Sequence, residues 1–318
     1  MGGSPPLFGA GPRSMAGPRR HAVDVAIFCL PHLARSRNTM DNDAPIPPVA
    51  LTARLAQAPE PWADPRGYLE RGRESLQAVE RVLPEGWTWT GTRVLEFGCG
   101  AGRVIRHLPE LAPDATIWGC DIDPACIAWN TEHLDPSISF VVNGEEPPLP
   151  FDADTFNLVY ALSVLTHIDQ LWAHWLLELH RVMSPGGLLI ATIMSEGMCE
   201  AVSGEPWDES QVGMNVYECG QPWLLGGPMV LHSPWWIRAH WGRLFGVLEV
   251  RSRGFFGQSG PQAQDDHGVV VVRKDGSSVP VTELERIDPA EPREATALHH
   301  DLMHVRAEVA GLRTATRG

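Results

Sequence analysis

Three features of this 318-residue sequence predict an α/β fold: a doubly wound, seven-stranded, mostly parallel sheet with an antiparallel C-terminal strand and a further C-terminal helix. From residue 93 onwards, short and nearly continuous apolar runs alternate with amphipathic segments, the pattern of parallel strands covered on both faces. One of these runs, Val94–Phe97, passes straight into a glycine-rich loop. The last two runs are separated only by a loop, which suits an antiparallel hairpin at a sheet edge.

Residues 1–50 are rich in Gly, Pro, Arg and Ser and read as a flexible lead. Met15 and Met40 are alternative starts within it, and residues 1–39 are expected to be dispensable. Arg19-Arg20 followed by His21–Leu30 has the outline of a signal peptide. Asp24 interrupts that run, and Pro31-His32 stand where small cleavage-site residues belong, so a secretory signal is disfavoured. Residues 51–275 are the expected main domain, with a substrate cap over 195–236; residues 276–318 are a linker and an amphipathic helix.

Tyr68–Leu83 gathers apolar residues on one helix face and is ended by Pro84 and Gly86. Arg93–Phe97 is a strand and Arg103–Leu111 a helix; Thr116–Ile122 is a strand and Pro124–Leu134 a helix with proline in its first turn. Ile138–Val142 and Phe156–Leu162 are strands, and Asp169–Met183 is a helix closed by Ser184-Pro185-Gly186-Gly187. Leu188–Ile193 is the fifth strand. After an irregular stretch, Pro234–Phe245 is a helix, Val247–Val250 and Val269–Arg273 are strands, and Pro289–Arg313 is the final helix. On that helix Leu298, Leu302, Val305, Val309 and Leu312 alternate four and three apart. Such a seam favours a homodimer, with docking on the same chain as the alternative.

Composition excludes several classes. A net charge of −14 leaves no basic stripe for nucleic acid. No run approaches the roughly 18–20 apolar residues of a membrane span. The six cysteines include no C-x-x-C pair, and the chain is neither short nor cysteine-dense, so a reduced, cytoplasmic compartment is expected. His300 and His304 stand four apart, but with no third ligand in view a surface helix is preferred to a metal site. The Gln264–His267 cluster reads as a solvated turn.

The strongest local signal is VLEFGCGAGR, residues 94–103, a strand running into G-x-G-x-G. Glycines there let the backbone turn sharply and let a ligand lie against bare main chain. Asp121 ends the next strand, placed to accept ribose hydroxyls as hydrogen-bond donors. A nucleoside-bearing ligand follows. The glycine spacing, and Glu96 two residues before Gly98, speak against an NAD-dependent oxidoreductase.

VLEFGCGAGRV, GCDIDP, LPFDADTFNLVYALSVLTHI and LHRVMSPGGLLIATI resemble, in order, the successive motifs of class I S-adenosylmethionine-dependent methyltransferases, which have a Rossmann-like fold. The likeness covers roughly residues 90–195, and the last strand pair extends it to about 274. It is similar in style to bacterial small-molecule and glycan methyltransferases. The resemblance implies S-adenosylmethionine as cofactor. Glu96, Phe97, Gly98, Cys99, Gly100 and Gly102 would stand at its methionine end, Asp121 at the ribose and Ile122 on the adenine. Asn143, Gly144 and Glu145 would stand near the adenine amino group, and Leu162 and Ser163 at the end of the fourth strand. The Pro147-Pro148 insertion leaves Asn143 and Glu145 as alternatives. Asn157 replaces the family's usual Asp and is expected to be structural. Cys99 is common at its position in the family and implies no thiol chemistry.

Methyl transfer from a sulfonium is an in-line displacement that needs alignment and dry surroundings. A hydroxyl acceptor also gains from a base. His167, just beyond the fourth strand, is the first candidate base, and His232, in GGPMVLHSPWW, is the second; His180 is expected to be structural. The expectation is O-methylation of a glycan, glycolipid or natural product. The rivals are a methyltransferase fold without turnover, acting as a scaffold subunit, and an NAD-dependent oxidoreductase.

Overall fold

The computed structural model describes residues 45–52, 65–257, 266–276 and 278–315. The signal-like run, the alternative starts and most of the expected lead lie outside the described residues, as do Gln264 and Asp265.

Seven strands form one sheet in the order β3-β2-β1-β4-β5-β9-β8. They are β1 (Arg93–Phe97), β2 (Thr116–Asp121), β3 (Ile138–Val142), β4 (Phe156–Ala161), β5 (Met183–Ile193), β8 (Gly246–Arg251) and β9 (Gly268–Arg273). β1 to β5 are mutually parallel. β9 runs antiparallel to both β5 and β8. An antiparallel strand inserted before the edge differs from the 3-2-1-4-5-6 order of dinucleotide-binding folds, which weakens the NAD reading further.

Side chains alternate across the sheet, as the two-residue period of a strand requires. Leu95, Val159, Leu189 and Val270 join one core, beneath α3 (Trp172–Val182) and α4 (Pro234–His240). Val94, Leu158, Leu188, Ile190 and Val271 join the other, beneath α1 (Pro65–Arg81). α2 (Pro124–His133) starts where the Asp123 carboxylate accepts from Ala125 N, with Pro124 in the first turn. Ser233 caps α4 by accepting from Trp236 N. Asn157 is structural: its Oδ1 accepts from Arg93 N, and its Nδ2 donates to Ser184 Oγ.

The structure departs from the sequence expectations at five places. Arg103–Leu111 is not one helix: a turn leads to a 3-10 turn at Ile105–His107 and a single α-turn at Leu108–Leu111. Pro109 supplies no N–H for the carbonyl of Ile105 and crowds it, so a regular helix cannot pass through. Ser184-Pro185-Gly186-Gly187 does not precede β5 but lies within it. Gly186 N donates to Lys274 O and Lys274 N to Gly187 O on one side, while the register against β4 shifts between Phe156 and Leu158 on the other. The stretch after β5 contains an antiparallel hairpin, β6 (Met214–Tyr217) and β7 (Met229–His232), where none was expected. The helix expected over Pro234–Phe245 is α-helical only to His240 and continues as a 3-10 turn at Trp241–Arg243. Finally, Pro45–Thr52 is packed, not a free lead: Pro47 and Thr52 are buried, and Arg106 Nη1 donates to Pro45 O.

The last helix, α5 (Arg293–Ala315), docks on the hairpin through a polar face. Asp301 Oδ1 accepts from Val216 N at 2.8 Å, satisfying an edge of β6. His300 hydrogen-bonds with Asn215, and the His304 ring packs on Tyr217 at 4.4 Å. Glu294 and Ala297 are buried on the same side. The leucine seam lies about a quarter turn away at 3.6 residues per turn. Leu298, Leu302 and Val309 are exposed there; the Leu312 side chain is outside the described residues.

Candidate functional site

The site forms where parallel strands end, at their C-terminal edge. Beyond β1 the chain turns back on itself: Gly98 N and Cys99 N both donate to Cys120 O on β2. Gly98 has φ +77°, and a β-carbon there would sit 2.3 Å from Val164 Cγ2. Gly102 has φ +73°, and a β-carbon there would meet Leu134 Cδ1 at 2.4 Å. Both glycines are required by conformation and by space. Cys99 is buried, and burial holds its thiol well above the usual range, so it is no nucleophile.

Asp121, at the end of β2, is joined to this loop. Its Oδ2 accepts from Gly100 N at 2.7 Å and its Oδ1 from Asp123 N at 2.9 Å. Burial raises its pKa, and backbone donors at Asp123, Gly100 and Ile122 oppose that. A carboxylate has about four acceptor positions, so acceptor capacity remains for a ligand's hydroxyl. Half-buried Ile122 follows directly. At the end of β3, Asn143 N donates to Asp121 O and Asn143 Nδ2 to Gly144 O. Asn143 Oδ1 is buried and has no hydrogen-bond partner among the described residues. Gly144 and Glu145 are exposed, and Glu145 Oε1 accepts from Trp223 Nε1 at 2.9 Å. At the end of β4, Leu162 is buried, and Ser163 takes φ +56° while its N–H donates to Thr192 Oγ1.

Glu96, two residues before Gly98, is 3% exposed, and Tyr160 Oη donates to its Oε2 at 2.9 Å. Burial raises its carboxyl from 4.5 to about 8. Between those values the unfolded chain releases a proton that the folded chain keeps. Its contribution to stability is therefore full below pH 4.5, falls as pH rises towards 8, and levels off above. Denaturant titrations of wild type and Glu96→Gln across pH 4–9 should show this slope in the wild type and a shallower one in the variant. Equal slopes would reject the assignment.

The two candidate bases separate. His167 is half-buried beyond β4, and its Nδ1 lies 2.9 Å from Pro228 O. A carbonyl only accepts, so Nδ1 carries the hydrogen and Nε2 the lone pair. Burial lowers its pKa, the Pro228 bond opposes this and nearby His267 adds to it. The ring is neutral at pH 7. His232 instead lies in the aromatic core, its ring 5.6 Å from Trp236 and 6.3 Å from Trp241. Burial pushes it down to about 3, too weak a base for the task. His180 is buried against Phe245, as a structural residue would be.

Trp223 lies in the cap expected over 195–236, where tryptophans can stack on a ligand or form a core of the cap itself. Sequence reasoning missed Pro228, on the same loop, and Thr192 and Tyr160, which look like ordinary strand residues. No local pattern marks these three.

Residues 94–187 match the methyltransferase domain family. The chain is 29% identical over 147 residues to phthiotriol/phenolphthiotriol dimycocerosates methyltransferase 1 of Mycobacterium ulcerans, covering 46% of this chain and 49% of that protein. It is 27% identical over 108 residues to the malonyl-[acyl-carrier protein] O-methyltransferase of Hahella chejuensis, covering 34% and 38%. The chain thus spans about half or less of the length of these relatives. Among solved structures, an S-adenosylmethionine dependent methyltransferase from Mesorhizobium loti aligns over 63% of this chain and 98% of its own, at 17% identity and a TM-score of 0.45. The matched domain, the order of its motifs and the strand order agree: the chain contains a methyltransferase domain, matched over residues 94–187.

Proposed function

We propose that this chain transfers the methyl group of S-adenosylmethionine to an oxygen of a glycan, glycolipid or natural-product acceptor. The carrying observation is convergence: the glycine loop, the Asp121 carboxylate bonded to it and the His167 imidazole meet at the C-terminal ends of β1, β2 and β4. When bound, the cofactor supplies an electrophilic methyl group on a sulfonium.

The residues present fit it. The loop backbone of Gly98–Gly102 would hold the methionine end, Asp121 the ribose hydroxyls and Ile122 the adenine face. Asn143 is the better partner for the adenine amino group, because its buried Oδ1 is an acceptor without a donor, whereas Glu145 already serves Trp223. His167 Nε2 would take the proton of an acceptor hydroxyl, with the Pro228 carbonyl fixing the tautomer. The printed name of one relative, an O-methyltransferase, supports oxygen as the atom methylated. Cys99, Cys120 and Cys199 are free thiols, which suits the cytoplasm.

Calorimetry with S-adenosylhomocysteine tests the reading. Asp121→Ala should weaken binding by about 1.5–3 kcal/mol, the scale of hydrogen bonds to a charged acceptor. Tight NAD binding with no response to S-adenosylhomocysteine would overturn it.

The proposal extends to assembly. With the polar face of α5 docked, the seam of Leu298, Leu302 and Val309 stays in water, and a second copy would cover it. Light scattering should show a dimer that Leu298→Glu/Leu302→Glu converts to a monomer. A wild-type monomer would reject it.

A further inference from the structure

We propose that the loop Glu218–Pro228, between β6 and β7, is the roof of the crevice, and that Trp223 and Glu145 form the latch that controls ligand exchange beneath it. The inference rests on the cofactor reading above. Two polar ties hold the loop down, and they lie at opposite ends of the site. Trp223 Nε1 donates to Glu145 Oε1 at 2.9 Å, just beyond β3, where the adenine end belongs. Pro228 O accepts from His167 Nδ1 at 2.9 Å, beyond β4, where the methyl group belongs. Gly227 lies against the same imidazole: a β-carbon there would be 3.6 Å from His167 Cβ.

The backbone between the two ties is a tight turn: Leu225 N and Gly227 N both donate to Pro222 O, and a β-carbon on Gly227 would be 3.8 Å from Trp223 Cα. β3 and β4 stand three strand spacings apart in the sheet, about 14 Å. The reach from the turn at His167 towards Glu145 is therefore made by the Trp223 side chain.

Leu224 and Leu225 are 52% and 67% exposed, so the middle of the loop packs little. Both flanks bend through left-handed positions, Glu218 at φ +55° and Gly220 at +79° on one side, Gly226 at +108° and Gly227 at +70° on the other. A segment with few buried apolar contacts opens at low free energy. The tryptophan–carboxylate bond is charge-assisted and is the stronger kind of tie. Trp223 and Glu145 act through the loop and are positioning residues. Because the other tie sets the His167 tautomer, closing the roof and preparing the base are one event.

Stopped-flow release of S-adenosylhomocysteine from the full chain tests this. Trp223→Phe keeps the ring and removes only the donor. It should speed release about 3–10-fold, the effect of one lost hydrogen bond. Glu145→Ala should do the same, and the double variant should match the single ones, because both break one bond. Unchanged release in Trp223→Phe, or effects that multiply in the double variant, would overturn the latch. Hydrogen exchange of the ligand-free chain provides a second readout: amides of 218–228 should exchange faster in Trp223→Phe, and equal rates would overturn the latch. A wild-type chain that binds no S-adenosylhomocysteine would fail the cofactor reading instead, and the exchange result would still decide whether the latch exists.

Discussion

Replacing His167 by alanine should lower turnover on a hydroxyl acceptor by about 10²–10⁴-fold while leaving S-adenosylhomocysteine affinity near wild type. The ring stands beyond β4 with Nδ1–H committed to Pro228 O, so Nε2 is the only nitrogen with a lone pair to offer. Burial lowers its pKa from 6.5. A lowered pKa keeps the working, neutral form populated to more acidic pH. The acid limb of the pH–turnover profile, where the ring becomes protonated, should therefore lie below pH 6.5, and should vanish in His167→Asn. Asparagine preserves a donor for Pro228 without a base at the other end. Turnover near wild type in both variants would mean that the acceptor needs no base.

Glu294→Ala should destabilise the chain by about 3–5 kcal/mol, the cost of breaking a buried pair from one side. Glu294 is buried with His240, and Glu294 Oε1 lies 2.8 Å from His240 Nε2. Its Oε2 accepts from Asp288 N at 2.6 Å, and the His240 ring stacks on Trp236 at 4.3 Å. One carboxylate thus joins the start of α5, the segment before it and α4. Its removal strands the imidazole and an N–H in the core. Glu294→Gln, which keeps an acceptor, should lose clearly less in a denaturant titration. Equal and small losses would show that the helix is held by its contacts with β6 alone.

The order of strands and helices was legible because its signals are local. A strand buried on both faces is apolar nearly throughout, as β9 (GVVVVR) is, and a helix must repeat its apolar face every three or four residues. The glycine loop was legible for the same reason: Gly98 and Gly102 adopt left-handed backbone whatever surrounds them. Asp121 was found by its place at a strand end. The docked face of α5 was not legible. Its periodic leucines are outside, and it binds through Asp301, His300 and His304, whose partners on β6 lie about 85 residues earlier in the sequence.

Sequence by itself determined the α/β class, the glycine turn and the acid beside it, since backbone conformation and side-chain period are properties of a few neighbouring residues. Tertiary structure alone separates the surroundings of His167 from those of His232. Both are single histidines next to apolar runs, and only packing leaves one at the crevice with a carbonyl on Nδ1 and seals the other among tryptophans. It likewise decided that Tyr160 reaches Glu96 and Trp223 reaches Glu145, because contacts between residues 64 and 78 positions apart are set by where the chain returns, which no local pattern encodes.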